Sequence, residues 1–291
     1  MFARQYIDET PAPDTGRYAL DNAAAQAAGR MSALSEIFDT GTIYHIEQCG
    51  ITSGWHCLEI GGGGGSIAAW MSERVGRKGR VVVTDINTRF LDSLQRPNLE
   101  VRRHNIVTDP LPEGAFDLIH ARLVLMHLPE RDAVLARLIK ALKPGGWLLD
   151  EEFDVLSMPT DAAINTRETF LHSLSALNRV LEERGVDLRF GRFLSGRLRA
   201  LGLAEVEAHG RLAAGGGGSV VARLVRSNFC QLGDVMVGLG YVTAEELEDD
   251  LRNLDDPDSL VLTPVMWSAW GRRLGADDRI ADAAHFIRSG I

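Results

Sequence analysis

The alternation of apolar runs and amphipathic segments between residues 54 and 154 is the most regular pattern in the chain. Short apolar runs, bounded by turn residues, predict five buried strands near 56–60, 80–85, 99–104, 116–121 and 146–153. Segments with apolar residues at helical spacing lie between them and predict helices near 66–76, 87–95 and 130–142. Strands that alternate with helices in this way predict a parallel sheet with helices on both faces.

The regions on either side of this alternation have mainly helical patterns. An Ala-rich stretch from Arg17 to Phe38 and a shorter one from Thr42 to Cys49 predict a helical cap over residues 1–50. Further helices are predicted over 162–184, 191–201, 219–239 and 243–254. Thr243 and Glu246 have the spacing of a capping box at the start of the last of these. Apolar runs near 204–208 and 260–270 predict two more strands.

Composition narrows the choice of function mainly by exclusion. The 291 residues are 45% hydrophobic and 24% charged, which is ordinary for a globular protein, and the formal net charge is -9. An acidic chain without a dense cluster of Lys and Arg is a poor nucleic-acid binder, so no nucleic-acid partner is expected. The three cysteines form no CxxC or Cys/His cluster, so we expect no metal site and no disulfide framework. Without a long apolar segment or a signal-like leader, we expect a cytoplasmic protein and no membrane partner.

A run of five glycines, Gly61 to Gly65, separates the first predicted strand from the helix that follows. Such a turn lets a ligand approach bare backbone at the start of a helix. Asp85 ends the next predicted strand, where a carboxylate is suited to binding ribose hydroxyls. Together these features predict a site for a nucleoside-containing cofactor.

The spacing of the glycines separates two classes of cofactor. The nicotinamide fingerprint G-x-G-x-x-G fails in both frames, because Ser66 or Ile67 stands where the third glycine belongs. The frame G-x-G-x-G fits, at Gly61, Gly63 and Gly65, with Glu59 two residues ahead. A carboxylate at this turn suits a cationic ligand and repels a pyrophosphate. An NAD(P)-dependent oxidoreductase is retained as the alternative.

A set of motifs in a fixed order identifies a family that the chain resembles. They are Leu58 to Ser66, Val83 to Ile86, Arg103 to Ile106, Phe116 to Arg122, Leu125 to Pro129, Leu142 to Trp147 and Glu151 to Asp154. The chain resembles the class I S-adenosylmethionine (SAM) methyltransferases, and is most similar to small-molecule methyltransferases of bacterial specialised metabolism. The resemblance implies an α/β fold with a Rossmann-like seven-stranded sheet that ends in an antiparallel hairpin, here near 204–212 and 259–270. The methyltransferase domain is then 51–291, with a helical lid insertion at about 155–203 and 219–258.

The resemblance also implies residues that bind SAM. Gly61, Gly63 and Gly65 pass under its methionine part, Glu59 accepts hydrogen bonds from loop amides or through water from the ammonium, and Asp85 accepts from both ribose hydroxyls. Ile86 packs on the adenine, Ile106 offers a backbone amide to the ring, and Arg122 lies near the sulfonium. Asn105 stands where the family usually has Asp, so its contact with the adenine amino group loses charge assistance. Arg30 either binds the methionine carboxylate or lies on the surface of an amphipathic helix.

The catalytic and substrate residues are predicted from position alone. His127 follows the fourth strand and either has a structural role or orients the substrate and accepts its proton. Glu151 and Glu152 follow the fifth strand, and alternation sends at most one to the site, so Glu152 is a candidate proton acceptor. Tyr18 is either a substrate contact or a packing residue of the cap. Candidates to line the substrate pocket are Met126, Phe153 and Phe170.

The reaction implied by the resemblance is transfer of a methyl group from SAM to a small-molecule acceptor, without a metal, leaving S-adenosylhomocysteine. Some similar enzymes methylate indole C3 of tryptophan-derived compounds such as diketopiperazines, so an indole acceptor is one hypothesis. The alternatives are O- or N-methylation of another metabolite, or SAM binding without catalysis. A homodimer formed through the apolar insertion is a candidate assembly.

Overall fold

The structure, a computed structural model, describes residues 20, 25–158 and 168–275, and the side chains of 168–171 are not described. The helices in these ranges are α1 Ala27–Gln48, α2 Ser66–Val75, α3 Arg131–Ala141, α4 Glu168–Glu183, α5 Phe190–Ala200, α6 Val220–Gly238 and α7 Ala244–Asn253. The strands are β1 His56–Ile60, β2 Arg80–Asp85, β3 Leu99–Arg103, β4 Phe116–Arg122, β5 Leu142–Asp154, β6 Leu203–Arg211, β7 Ala214–Gly216, β8 Leu260–Leu262 and β9 Val265–Arg273. No helix among the described residues combines the length and apolarity needed to cross a membrane.

Seven of these strands form one sheet in the order β3-β2-β1-β4-β5-β9-β6. The first five are parallel, and β9 runs antiparallel between β5 and β6. The predicted seven-stranded sheet with helices and a terminal antiparallel pair is therefore confirmed. The strand order reverses between β1 and β4, and ligands of such sheets bind beyond the carboxyl ends of the strands at this point.

Two hydrophobic clusters cover the two faces of the sheet. After their first residues, β1 and β2 are buried throughout, as expected for parallel strands covered on both sides. Ile46 of α1 and Met71 of α2 pack in one cluster with Leu118. Leu135 of α3, Leu194 of α5 and Phe229 of α6 belong to the other.

Three local predictions were wrong. The two helices predicted before residue 50 are one helix, α1, which continues through Gly41. A Cβ at Gly41 would lie only 1.2 Å from Nη1 of Arg211, so the guanidinium from β6 lies directly over this glycine. The helix predicted near 87–95 shrinks to a 3₁₀ turn, Thr88–Phe90, which Asn87 caps by accepting a hydrogen bond from the Arg89 N–H. The N–H groups of Leu91 and Leu94 bond to carbonyls three residues back, so the tighter 3₁₀ spacing replaces the helical one.

The third wrong prediction concerns the last strand, which is divided in two. β8 pairs with β7, while β9 joins the main sheet, and Thr263 and Pro264 lie between them. Proline lacks the N–H that a continuous strand needs, so the pairing changes partner here.

The segment predicted as a lid includes one helix that packs on the sheet. α5 packs against β5, β6 and β9. A Cβ at its Gly191 would lie 2.3 Å from the Glu152 carbonyl oxygen, so the missing side chain lets helix and strand approach closely. The helices outside the sheet layers are therefore α4, α6 and α7, which pack on one another, and α6 also packs on α1.

Candidate active site

A cavity of about 1320 Å³ opens beyond the carboxyl ends of β1 to β4. One wall comes from the chain that leaves these strands, and the other from α1, α4 and α6. The first wall is polar and glycine-rich, whereas the helical wall is mostly apolar. The fold thus places the cavity at the switch point where the sequence pattern predicted a ligand.

The glycine loop presents backbone to this cavity. Gly61 and Gly63 have φ of 64° and 52°, and both line the cavity. A Cβ at Gly61 would lie 2.4 Å from Cγ2 of Val124, so no side chain fits there. Gly65 has φ of 78° but lies outside the lining, where a Cβ would meet Leu94 at 2.3 Å. The first two glycines face the cavity and the third permits packing behind it.

Asp85 is held rigidly at the end of β2. Its Oδ2 accepts a hydrogen bond from the Gly63 N–H at 3.1 Å, and its Oδ1 accepts one from the Asn87 N–H at 3.0 Å. Burial raises the pKa of this carboxyl, and the backbone hydrogen bonds oppose the rise. Each oxygen keeps further acceptor capacity toward the cavity, which suits a ligand with two adjacent hydroxyls.

Three predicted adenine contacts lie together on the same side of the cavity. Ile86, Asn105 and Ile106 all line it, and Ile86 is exposed. The Asn105 Oδ1 already accepts a hydrogen bond from the Val107 N–H at 3.0 Å. Sequence reasoning missed Asp109, which also lines the cavity and accepts from the Asn105 N–H at 2.9 Å. Asp109 thus adds a carboxylate to this side of the cavity.

Glu59, on β1, and Arg30, on α1, are buried charged residues that line the cavity. Glu59 is buried and lines the cavity, and its Oε2 is 2.7 Å from Nδ1 of His120. Arg30, on α1, is only 4% exposed and also lines the cavity, so the surface position left open by the sequence is excluded. Its guanidinium donates to the Leu20 carbonyl at 3.1 Å.

Arg122 and His127 lie on the chain that leaves β4. Arg122 lines the cavity and donates to Oγ1 of Thr42 and Oδ1 of Asp39, each at 2.9 Å, which ties β4 to α1. His127 is buried and lines the cavity as well. Burial, reinforced by the positive charges of Arg30 and Arg131, lowers the pKa of His127 to about 3. A neutral imidazole of such low basicity is suited to orienting a ligand and poorly suited to accepting a proton.

Glu152 is not placed to accept a substrate proton, contrary to the sequence-based prediction. It is fully buried and lies outside the cavity lining, and its Oε1 accepts from the N–H groups of Val124 and Leu125 at 3.1 and 2.6 Å. Glu151 is also fully buried and bonded elsewhere, so neither acid faces the cavity. The prediction failed because both faces of β5 are covered, by α1 and by α5.

The apolar section of the cavity contains two of the predicted substrate residues. Met126 and Phe153 line it, and Phe153 makes an edge contact with Phe38 at 5.6 Å between ring centroids. Phe170 lies in α4, but its side chain is not described, and Tyr18 lies outside the described residues. The helices add lining residues that sequence reasoning did not select, namely Leu177, Asn178, Leu224, Val225 and Asn228. Only the tertiary packing of α4 and α6 brings these positions to one surface.

Comparison of sequences places this site in a known domain type. Residues 58–150 match the family model described as "Methyltransferase domain". "Methyltransferase str3" of Strobilurus tenacellus is 33% identical over 147 residues, which cover 49% of this chain and 50% of that protein. "Ubiquinone/menaquinone biosynthesis C-methyltransferase UbiE" of Pseudomonas putida is 36% identical over 126 residues, covering 40% of this chain and 48% of that protein. The chain therefore spans about half the length of the curated relatives it matches.

Comparison of structures supports the same fold. One similar structure is phosphoethanolamine N-methyltransferase 2 of Haemonchus contortus, which was solved with SAM. It superposes with a TM-score of 0.52 at 15% identity, and the match covers 84% of this chain and 56% of that protein. The YcgJ protein of Bacillus subtilis gives a TM-score of 0.53 at 14% identity, over 80% of this chain and 97% of its own. The chain thus has the fold of these solved proteins, and its residues 58–150 are similar to a methyltransferase domain.

Proposed function

We propose that the protein transfers a methyl group from SAM to a small, largely apolar acceptor. The observation that carries this proposal is one continuous cavity with two sections of different chemistry. The glycine loop and Asp85 form the polar section, and Met126, Phe153 and the α4 and α6 residues form the apolar one. The relatives named as a methyltransferase and as a ubiquinone/menaquinone biosynthesis C-methyltransferase support the same reaction.

The polar section offers a partner for each part of SAM. Asp85 offers two carboxylate oxygens to the ribose hydroxyls, and Ile86, Asn105 and Ile106 flank the adenine. For the methionine end of SAM, the acidic Glu59 is a partner for the ammonium and the basic Arg30 is a partner for the carboxylate. Arg122 also lines the cavity and is assigned to the sulfonium region by the resemblance. Gly65 contributes indirectly, by allowing the loop to pack on Leu94.

Catalysis then rests on positioning. Bound SAM supplies the electrophilic methyl group, and transfer requires the acceptor atom in line at about 3–3.5 Å. The helical wall formed by α1, α4 and α6 excludes water from the apolar section and fixes the acceptor. Neutral His127 offers the acceptor a hydrogen-bonding partner close to Arg30 and Met126.

An indole-containing, tryptophan-derived acceptor such as a diketopiperazine is the finer hypothesis. The apolar lining suits an aromatic bicycle, and Asn178 and Asn228 supply amides that can pair with an indole N–H or a ring amide. Methylation at an oxygen or nitrogen of another metabolite is the alternative within the same reaction class. An NAD(P)-dependent oxidoreductase is disfavoured by the acidic Glu59 beside the loop.

Methyl-labelled SAM and an acceptor panel test this proposal. We expect label to pass to at least one indole or phenol, with equimolar S-adenosylhomocysteine, and cyclic dipeptides containing tryptophan test the finer hypothesis. Leu224→Trp narrows the apolar section and should abolish transfer while S-adenosylhomocysteine binding is kept, which also shows that the variant is folded. Cofactor binding without transfer to any acceptor favours a non-catalytic SAM-binding protein. Oxidation of NAD(P)H in place of methyl transfer would establish the oxidoreductase.

Two further sequence-based predictions belong to this proposal. We expect a homodimer in sedimentation experiments, and fractionation should recover the protein from the cytoplasm. A monomer at micromolar concentration would leave the proposed reaction intact but would contradict the dimer.

A further inference from the structure

A row of buried polar side chains crosses the sheet at the base of the cavity. It consists of Glu59, His120, Glu151 and Ser268, one each from β1, β4, β5 and β9, and we call it the buried polar row. Glu59 is paired with His120 across the strands, and Glu151 is paired with Ser268. The exposed fraction is 4% for Glu59 and 0% for the other three. Of the four, Glu59 lines the cavity.

Hydrogen bonds connect the row from end to end. Nδ1 of His120 lies 2.7 Å from Oε2 of Glu59, and Nε2 of His120 lies 3.3 Å from Oε2 of Glu151. Glu151 also accepts from the hydroxyls of Ser268 and of Thr42 on α1. The imidazole therefore stands between two carboxylates, one facing the cavity and the other anchored in the sheet.

The charges explain why the imidazole can hold both acids. Burial by itself lowers the pKa of His120, but the charge of Glu59 and the hydrogen bond to Glu151 outweigh it and raise the pKa to about 9. An imidazolium donates from both nitrogens, one to each carboxylate. Burial also tends to raise the pKa of Glu151, but hydrogen bonds from His120 and His45 hold it well below its usual value.

Stability alone does not account for such a row. Apolar side chains of similar volume are often as stabilising as a buried ion pair, whose main effect is to fix geometry. Here the fixed group is a carboxylate that borders the glycine loop. A carboxylate that is free to change rotamer loses conformational entropy when it binds a cation, and this loss weakens the binding.

We propose that His120 is a positioning residue for the amino-acid end of the cofactor, because its Nδ1–H holds the Glu59 carboxylate beside the glycine loop. The ordered carboxylate then faces the ammonium of SAM or S-adenosylhomocysteine. This inference rests on the proposed function and assigns His120, which does not itself line the cavity, a role in cofactor affinity.

Two substitutions that introduce a side-chain amide test the two nitrogens of the His120 imidazole separately. In His120→Asn the side-chain amide replaces the Nδ1–H that faces Glu59, whereas in His120→Gln it replaces the Nε2–H that faces Glu151. The two ligands are S-adenosylhomocysteine and 5′-methylthioadenosine, which keeps the adenosine and thioether but lacks the amino-acid end. Glu113→Gln, in an exposed turn before β4, is the control.

We expect His120→Gln to weaken S-adenosylhomocysteine binding by about tenfold or more, as loss of a hydrogen bond to a charged group predicts. His120→Asn should stay within about threefold of wild type, and 5′-methylthioadenosine should bind all variants alike. Equal effects of the two variants, or equal losses for the two ligands, would overturn the inference, because general damage to the fold has no such selectivity. Failure of wild type to bind either ligand would overturn the proposed function first.

Discussion

At the scale of single residues, the glycine loop sets how closely a ligand can approach the backbone. Gly61 and Gly114 make a matched pair, because their φ values are 64° and 61°. A Cβ at Gly61 would lie 2.4 Å from Val124, whereas a Cβ at Gly114 would have no neighbour within 4 Å. Alanine variants at the two positions therefore separate the cost of backbone strain from the cost of steric overlap with Val124.

We predict that Gly61→Ala loses S-adenosylhomocysteine binding and is less stable than Gly114→Ala. Both variants have the strain of a positive φ, and overpacking adds about 1–3 kcal/mol at Gly61 alone. Urea unfolding measures the stability difference, and calorimetry measures binding. Equal stability of the two variants together with wild-type binding in Gly61→Ala would show that Val124 yields to the new side chain.

His127 provides a second test at this scale. Because its pKa is lowered to about 3, it is neutral throughout pH 5.5–8.5 and does not titrate there. We expect His127→Asn to lower kcat/KM by about tenfold through lost orientation. The shape of the pH profile should stay the same in this range. Disappearance of an acidic limb from the profile in the variant would instead identify His127 as the general base.

At the scale of elements, the sequence predicted what depends on local pattern. The strands from β1 to β5 and the helices α2, α3, α6 and α7 follow directly from apolar spacing. The errors at Gly41 and at Pro264 have one cause, since each depends on a contact or a pairing made by distant chain. The role of α5 was missed for the same reason, because the space at Gly191 is visible only once β5 lies against it. The 3₁₀ turn after Asn87 instead depends on local hydrogen bonds that apolar spacing does not reveal.

The capping box of α7 was predicted from spacing alone and is confirmed. Thr243 Oγ1 accepts from the Glu246 N–H at 3.2 Å, and Glu246 accepts from the Thr243 N–H at 2.8 Å. We predict that Thr243→Ala lowers the free energy of unfolding by about 1 kcal/mol. Thr52→Ala, in an exposed turn, should change it little. Denaturant titration of both variants checks this, and equal values would mean that α7 does not depend on its cap.

At the scale of the whole molecule, the polar wall of the cavity could be predicted from sequence, but the apolar wall formed by the helices could not. Glu59, Asp85 and Asn105 each lie at or just beyond the end of a strand, and parallel strands bring their ends to one edge. Leu177 and Leu224 belong to helices whose packing has no signal in local pattern. The buried polar row was missed likewise, because the pairing of Glu59 with His120 depends on strand register.

The buried acids of β5 give the molecule a distinctive dependence on pH. Burial raises the pKa of Asp150 to about 8, and neighbouring Glu151 adds to the rise. A carboxyl whose folded pKa is raised contributes stability that is complete below its unfolded pKa, about 4, and is lost as the pH rises through about 8. His120 acts in the same direction, with its contribution lost between about 6.5 and 9.

We therefore predict that the melting temperature falls as the pH rises from 6.5 to 9. The fall should be smaller in Asp150→Asn, which cannot ionise, and the control Glu113→Gln should follow the wild type. Thermal unfolding across this range measures both slopes. A variant that follows the wild-type slope would show that Asp150 is already ionised at pH 6.5.

The proposed binding of SAM by Asp85 and the glycine loop can be measured by calorimetry with S-adenosylhomocysteine. Asp85→Asn keeps the size of the side chain but removes the charge that accepts from the ribose, and Glu113→Gln makes a comparable change in an exposed turn. We predict micromolar binding to wild type and Glu113→Gln, with a loss of about tenfold or more in Asp85→Asn. Absence of binding to wild type, with binding of NAD or NADP instead, would contradict the account.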